Sequence, residues 1–185
     1  MTNEEIDKLI LVPETDPILH KELAPVDFAA YDVTALSQRL MKIMAACHGA
    51  GLSANQVGVD AQMFVMQWPP MDGQPGGSRV VINPEIKAVS EQVNQFEEGC
   101  LSFPALFIWL KRPEAIQVRY QDVSGEWIEE TFTGWPARIF QHEFDHLKGL
   151  TFDQKASKLK LDFAKKKRAK VFKRNGINYE AVLNG

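Results

Sequence analysis

Gln141-His142-Glu143-Phe144-Asp145-His146 is the stretch that decides how this chain folds. It contains the pattern H-E-x-x-H, with Glu143 between His142 and His146. Four residues on an α-helix is a little over one turn, so both imidazoles project from one face and can bind one cation. Glu143 lies just off that face, within reach of a water on the cation, where a general base belongs. The spacing predicts a helix over 136–147, capped near Gly134.

Working outward, residues 115–121 and 127–132 read as a hairpin that turns through Asp122 to Gly125. Residues 61–68, 79–83 and 86–96 read as three further strands, with a Pro/Gly-rich loop from Pro69 to Gly77. Thr34 is the expected cap of a helix over 35–48, because Leu36, Leu40, Ile43, Met44 and Cys47 recur at helical spacing. Gly49 and Gly51 end it. Residues 5–33, with Pro13, Pro17 and Pro25, read as irregular. A last helix is expected over 158–173, stopped by Asn175-Gly176. Strands cluster in the middle of the chain with helices before and after. That order predicts an α+β fold, with mixed or antiparallel sheets packed around a central metal-binding helix and flanked by an N-terminal and a C-terminal helix.

The 185 residues are most simply one domain. Residues 1–154 are expected to form the catalytic body, and 155–185 a basic helix and tail that joins it or extends from it. Hydrophobic content of 45% and charged content of 24% are ordinary for a globular protein. No apolar run approaches the roughly 20 residues that span a bilayer, so no membrane is expected. The amino terminus, Met1-Thr-Asn-Glu-Glu-Ile-Asp, is acidic, whereas secretory and organelle-import signals start basic. Two cysteines, Cys47 and Cys100, are too few for a disulfide scaffold, and a reducing cytoplasm is the expected location. The net charge of −3 hides a split: residues 155–174 carry ten Lys/Arg against one acid, Asp162. The acidic remainder resists non-specific adhesion to nucleic acid, and no DNA partner is expected.

The third metal ligand decides the chemistry. The longer pattern H-E-x-x-H-x-x-G-x-x-H is matched at Gly149 but ends on Phe152, which cannot bind metal. A downstream glutamate ligand is also missing, because no Glu lies between Glu143 and Glu180; Asp153 or Asp162 are the substitutes available. Upstream lies Glu98-Gly99-Cys100-Leu101-Ser102, where Cys100 follows a glycine and precedes Ser102 and Pro104, so it is expected in a tight turn. Cys47, on the apolar stripe of the first helix, reads instead as a small buried hydrophobe. A Cys-His-His set leaves one vertex of a tetrahedral ion open, as a catalytic site requires. A metallopeptidase with a different third ligand is the rival enzyme. A non-catalytic RNA-binding protein with a structural metal is the rival of another class, though it has no need of Glu143.

Three motifs in order resemble those of the peptide deformylase family: Gly49-Ala50-Gly51-Leu52-Ser53-Ala54-Asn55-Gln56, then Glu98-Gly99-Cys100-Leu101-Ser102, then Gln141-His142-Glu143-Phe144-Asp145-His146. The resemblance implies Cys100, His142 and His146 as ligands of one divalent ion, most often Fe²⁺ in the cell, with Zn²⁺ or Ni²⁺ able to substitute. It implies N-formylmethionyl peptides as substrates and loss of their formyl group. Glu143 would act as base and then acid, with the Gln56 amide and the Leu101 backbone N–H as donors to the oxyanion. Gly51 would offer a backbone contact to the substrate, and Phe96, Leu101, Trp135 and Ile139 are either walls of the methionine pocket or plain core. Ala50 stands where a larger apolar residue is usual and should widen that pocket. Ser53 stands where alanine is usual and adds a hydroxyl. An arginine common near Phe107 is missing, leaving Phe107 and Trp109 as either strand core or exposed rim. Glu98 and Arg112 could pair behind Cys100, and Asp145 is either a packing residue or a solvated carboxylate. The basic helix is either a solvated face, packed through Leu159, Phe163 and Phe172, or a contact to ribosomal RNA or a ribosomal surface.

Overall fold

The computed structural model describes residues 1–71 and 75–178, so part of the loop between Pro69 and Gly77 and the last seven residues of the tail lie outside the described residues. The chain runs α1 (Asn3–Asp7), α2 (Val33–Ala46), β1 (Gly51–Ser53), β2 (Met63–Trp68), β3 (Gly77–Val89), β4 (Val93–Cys100), β5 (Phe103–Pro113), β6 (Ala115–Gln121), β7 (Trp127–Thr133), α3 (Gly134–Leu147) and α4 (Lys158–Arg174). Five strands form one antiparallel sheet in the order β1-β2-β3-β6-β7, and β4 pairs with β5 as a separate ribbon.

Strand β2 shows how the layers form. Successive strand residues face opposite sides of a sheet. Phe64 and Met66 point to α3, where they meet Phe140, Ile139 and Leu147. Met63 and Val65 point the other way, to Leu36, Leu40 and Met44 of α2. Both faces are covered, so the strand is a continuous apolar run rather than an alternating one. The ribbon has a core of its own, in which Phe103, Leu106, Ile108 and Leu110 of β5 pack on Leu19, Phe152 and Ala164. The intervening residues of β5 alternate outward, leaving Phe107 and Trp109 about half exposed; they are a rim, not a core.

Several details differ from the sequence expectation: α1 reaches into the segment read as irregular, β1 and β5 form where no strand was expected, and residues 86–96 are divided between β3 and β4. The helix α2 is capped by Asp32, whose carboxylate accepts from the Ala35 N–H at 2.9 Å, and not by Thr34. Cys47 is exposed, because the apolar stripe of α2 overruns the body at its last turn. The segments 79–83 and 86–96 are not two strands meeting at Pro84. Strand β3 runs through it, with Asn83 at φ 50° and a register shift that absorbs the N–H proline lacks. The Asn83 side chain secures this bulge by accepting from Val26 N–H at 2.7 Å and donating to Gln121 at 2.9 Å. Finally, α4 buries Ala164, Arg168 and Phe172, one residue every four, and leaves Leu159 and Phe163 facing out at 81% and 73% exposure. Arg168 docks on Glu14 at 2.6 Å.

No helix among the described residues is long and apolar enough to cross a membrane. The placement of α3 depends on Phe140, which is fully buried and meets Phe64 edge-on at 5.1 Å and Phe132 at 5.7 Å. Phe140→Ala should cost about 3–5 kcal/mol of unfolding free energy, measured by urea titration; a loss under about 1 kcal/mol would contradict this packing.

Candidate metal centre

The α3 helix delivers its two histidines in register, as the spacing requires. His142 and His146 are both buried, with ring centroids 5.2 Å apart. The third donor arrives from the ribbon: Cys100 ends β4, and Leu101-Ser102 turn the chain into β5. Cys100 Sγ lies 3.3 Å from His146 Nε2, and one donor atom from each of the three residues lies within 4.8 Å of the others. A tetrahedral ion with ligands at roughly 2.0–2.3 Å holds neighbouring donors about 3.5 Å apart. Thiolate and imidazole are the ligands that first-row divalent ions of intermediate softness prefer. The donor set therefore fits one divalent cation.

A second layer fixes these ligands. Glu98, two residues before Cys100, is buried and accepts two bonds from Arg112 at 2.7 Å and one from Arg138 at 2.7 Å. Its Oε2 lies 3.0 Å from His142 Nδ1. Burial pushes the Glu98 carboxyl up, but Arg112 and His142 outweigh it and hold the group well below the usual carboxylate range. An ionised carboxylate can only accept, so Nδ1 carries a proton and Nε2 is the atom that would bind a cation. Burial acts to lower His142, yet Cys100 and Glu98 beside it raise the ring to about 10. A cation binding through Nε2 would displace the second ring proton and leave the one on Nδ1. For His146, burial and then the charge of His142 push the ring well below its usual value, leaving a neutral donor. Asp145 extends the network outward. It accepts from Arg112 at 2.5 Å and pairs with Lys155 at 2.9 Å, so it is neither idle nor simply solvated.

Glu143 is buried beside the ligands, and burial raises its carboxyl above the usual range despite the lowering pull of His142 and Ser53. Gln56 is turned inward. Its Oε1 accepts from the Ser53 N–H at 2.9 Å, and its Nε2 donates to Ser102 at 3.1 Å and lies 3.3 Å from Cys100 Sγ. A pocket of about 470 Å³ opens over this group, with Ala50, Gly51, Leu101, Phe107, Trp135 and Ile139 among its walls. Phe96 lies behind that wall, edge-on to Trp135 at 5.9 Å. Exposed Cys47 stands at the rim.

Sequence reasoning missed three of the residues gathered here. Arg138 sits one turn before His142 on α3, and that spacing could have marked it as facing Glu98. Ser102 belongs to the Cys100 motif but carried no role. Asn55, next to Gln56, donates to the His146 carbonyl at 2.9 Å and ties the glycine-containing loop to the end of α3.

Comparison with known proteins identifies relatives in sequence and in fold. The family model described as Polypeptide deformylase matches residues 8–162. A peptide deformylase of Thermotoga neapolitana is 43% identical over 135 residues, covering 73% of this chain and 79% of the relative. The crystal structure of the Thermotoga maritima peptide deformylase superposes with a TM-score of 0.74 at 38% identity, covering 80% of this chain and 97% of that one. A Met-Ala-Ser-bound crystal structure of the Acinetobacter baumannii enzyme gives 0.71 at 31% identity, with 80% and 98% covered.

Removing the Cys100 sulfur should empty the site, whereas the exposed sulfur at position 47 should not matter. Purified Cys100→Ala should retain less than about a tenth of the divalent metal per chain found in the parent, and Cys47→Ala the full amount, by elemental analysis. Equal metal in both variants would contradict the assignment.

Proposed function

The chain belongs to the polypeptide deformylase family, and from that premise we propose that Cys100, His142, His146, Glu143, Gln56 and Leu101 together remove the formyl group from the formylmethionine that begins new polypeptides. The observation that carries this reading is the buried carboxylate of Glu143 beside a three-donor site, at the floor of an apolar pocket. A divalent cation held by the three donors supplies Lewis acidity and lowers the pKa of water toward about 7.

The protein's own groups do the rest. Glu143, its carboxyl raised by burial, takes the proton of the attacking water as the new C–O bond forms. Charge then develops on the former formyl oxygen, and the Gln56 amide and the Leu101 N–H would donate to it. When the C–N bond breaks, Glu143 returns the proton to the leaving amine, so formate and a free amino terminus are released. The methionine side chain occupies the pocket between Ala50, Trp135 and Ile139, and Gly51 offers its backbone to the peptide. Phe96 supports Trp135 from behind. Membership of the family implies Fe²⁺ as the resident ion in the cell, and Zn²⁺ or Ni²⁺ would fit the same thiolate and imidazole donors. The setting is the cytoplasm, where new chains emerge.

The exposed face of α4 provides the second part of the reading, attachment to ribosomal RNA or a neighbouring ribosomal surface. Its buried side is anchored through Ala164, Arg168 and Phe172, while its lysines face solvent. A dense positive face on an otherwise acidic body concentrates attraction for phosphate at one place.

Two experiments test these readings. Formyl-Met-Ala-Ser, the substrate whose product is the Met-Ala-Ser bound in the Acinetobacter relative, should be turned over by the parent. Glu143→Ala should keep its metal while kcat falls by about 10³; near-parental turnover would remove Glu143 from the mechanism. Reversing Lys165, Lys166, Lys170 and Lys173 to Glu leaves the buried side of α4 untouched. The parent should co-sediment with ribosomes at low salt and less so at high salt, and the variant should not. Equal co-sedimentation of the two, or none by the parent, would overturn the attachment reading.

A further inference from the structure

Strand β1 is only three residues long, yet it touches the proton-transfer group twice. Side chains alternate along a strand, so Gly51 and Ser53 share one face and Leu52 takes the other. Leu52 is buried in the core formed with α2. The shared face of Gly51 and Ser53 lies against Glu143 of α3. A Cβ on Gly51 would overlap the Glu143 carboxylate at Oε1. Ser53 Oγ lies 2.6 Å from Oε2 of the same carboxylate and 3.2 Å from the Glu143 backbone oxygen. A hydroxyl has one proton to give, and the shorter contact is the length of a charge-assisted O–H···O⁻ bond.

The two oxygens of Glu143 thus have different surroundings. Oε1 rests over Gly51, and Gly51 and Glu143 both line the pocket. Oε2 is turned to Ser53, which is fully buried beneath it. Through its backbone N–H the same serine holds Gln56 Oε1 at 2.9 Å. That contact leaves the Gln56 Nε2 donor aimed at Cys100 and Ser102. One residue therefore touches both the base and the amide donor without lining the pocket.

We propose that Ser53 is a positioning residue for the deformylation step: its hydroxyl pins Oε2 of Glu143, so that Oε1, seated over Gly51, is the oxygen that takes and returns the proton. This rests on the reading of Glu143 as the base. A glutamate side chain has three torsions, and a carboxylate tethered at one oxygen loses most of that freedom before substrate arrives. Alanine, the usual residue at this place in the resembled motif, occupies less space than serine, so its introduction removes the tether without crowding the strand. The bond from the Ser53 backbone N–H to Gln56 Oε1 survives the change.

The test is Ser53→Ala measured beside the parent on formyl-Met-Ala-Ser, with metal content and a crystal structure from the same preparations. The expected result is a fall in kcat of about tenfold with KM within twofold, unchanged metal per chain, and a second orientation of the Glu143 carboxylate in the crystal. A kcat within twofold of the parent would overturn the proposal. So would a loss carried by KM or by missing metal, or slowed turnover with Glu143 in its original single orientation. If the parent itself fails to turn over the peptide, the deformylase reading fails instead, and the two failures are distinct.

Discussion

The site depends on one buried carboxylate. Glu98 lies inside the protein, where an unpaired charge costs several kcal/mol, and is compensated by two bonds from Arg112, one from Arg138 and the contact to His142 Nδ1. These four groups come from three elements: β4 supplies Glu98, β5 supplies Arg112, and α3 supplies Arg138 and His142. Among the described residues the ribbon and the larger sheet share no strand pairing. The charge cluster, together with the aromatic packing of Phe103 on Phe152 at 5.6 Å, therefore sets how Cys100 meets the two histidines. Removing one partner from such a cluster leaves an uncompensated charge, typically costing about 3–5 kcal/mol.

The same arrangement prepares each ligand for its task. His142 has its Nδ1 committed to Glu98, and His146 is kept neutral by burial and by the charge of its neighbour. Glu143, on the same helix, is hydrogen-bonded by Ser53 rather than by an arginine, and burial raises its carboxyl. Three acidic groups within one cluster thus diverge: Glu98 is locked ionised, Asp145 links Arg112 to Lys155, and Glu143 is left free to exchange a proton. Environment, not residue type, separates the structural carboxylates from the one proposed to react.

Much of this could be read from the chain because the chemistry is local. The His142–His146 spacing is a helix repeat, and the 115–121 and 127–132 strands flank an unmistakable turn. Cys100 stood out because its neighbours are turn-forming. What could not be read is set by partners distant in sequence. Nothing near Asn83-Pro84 announces that Val26 and Gln121 will stabilise a bulge and let β3 continue. The apolar stripe of α2 predicted burial for Cys47, but the body ends before the helix does. On α4 the lysine run masked the true buried face, in which Arg168 is paid for by Glu14 and the larger Leu159 and Phe163 are left outside. Arg138 carries no local signal of its own, since its meaning depends on Glu98 forty residues earlier.

The central claim is that one sulfur and two imidazole nitrogens share a single cation. X-ray absorption at the metal edge of the protein as isolated reports both the element and its neighbours. One sulfur at about 2.3 Å and two imidazole nitrogens at about 2.0–2.1 Å are the result predicted. A metal shell of nitrogen and oxygen alone, with no sulfur, would contradict it.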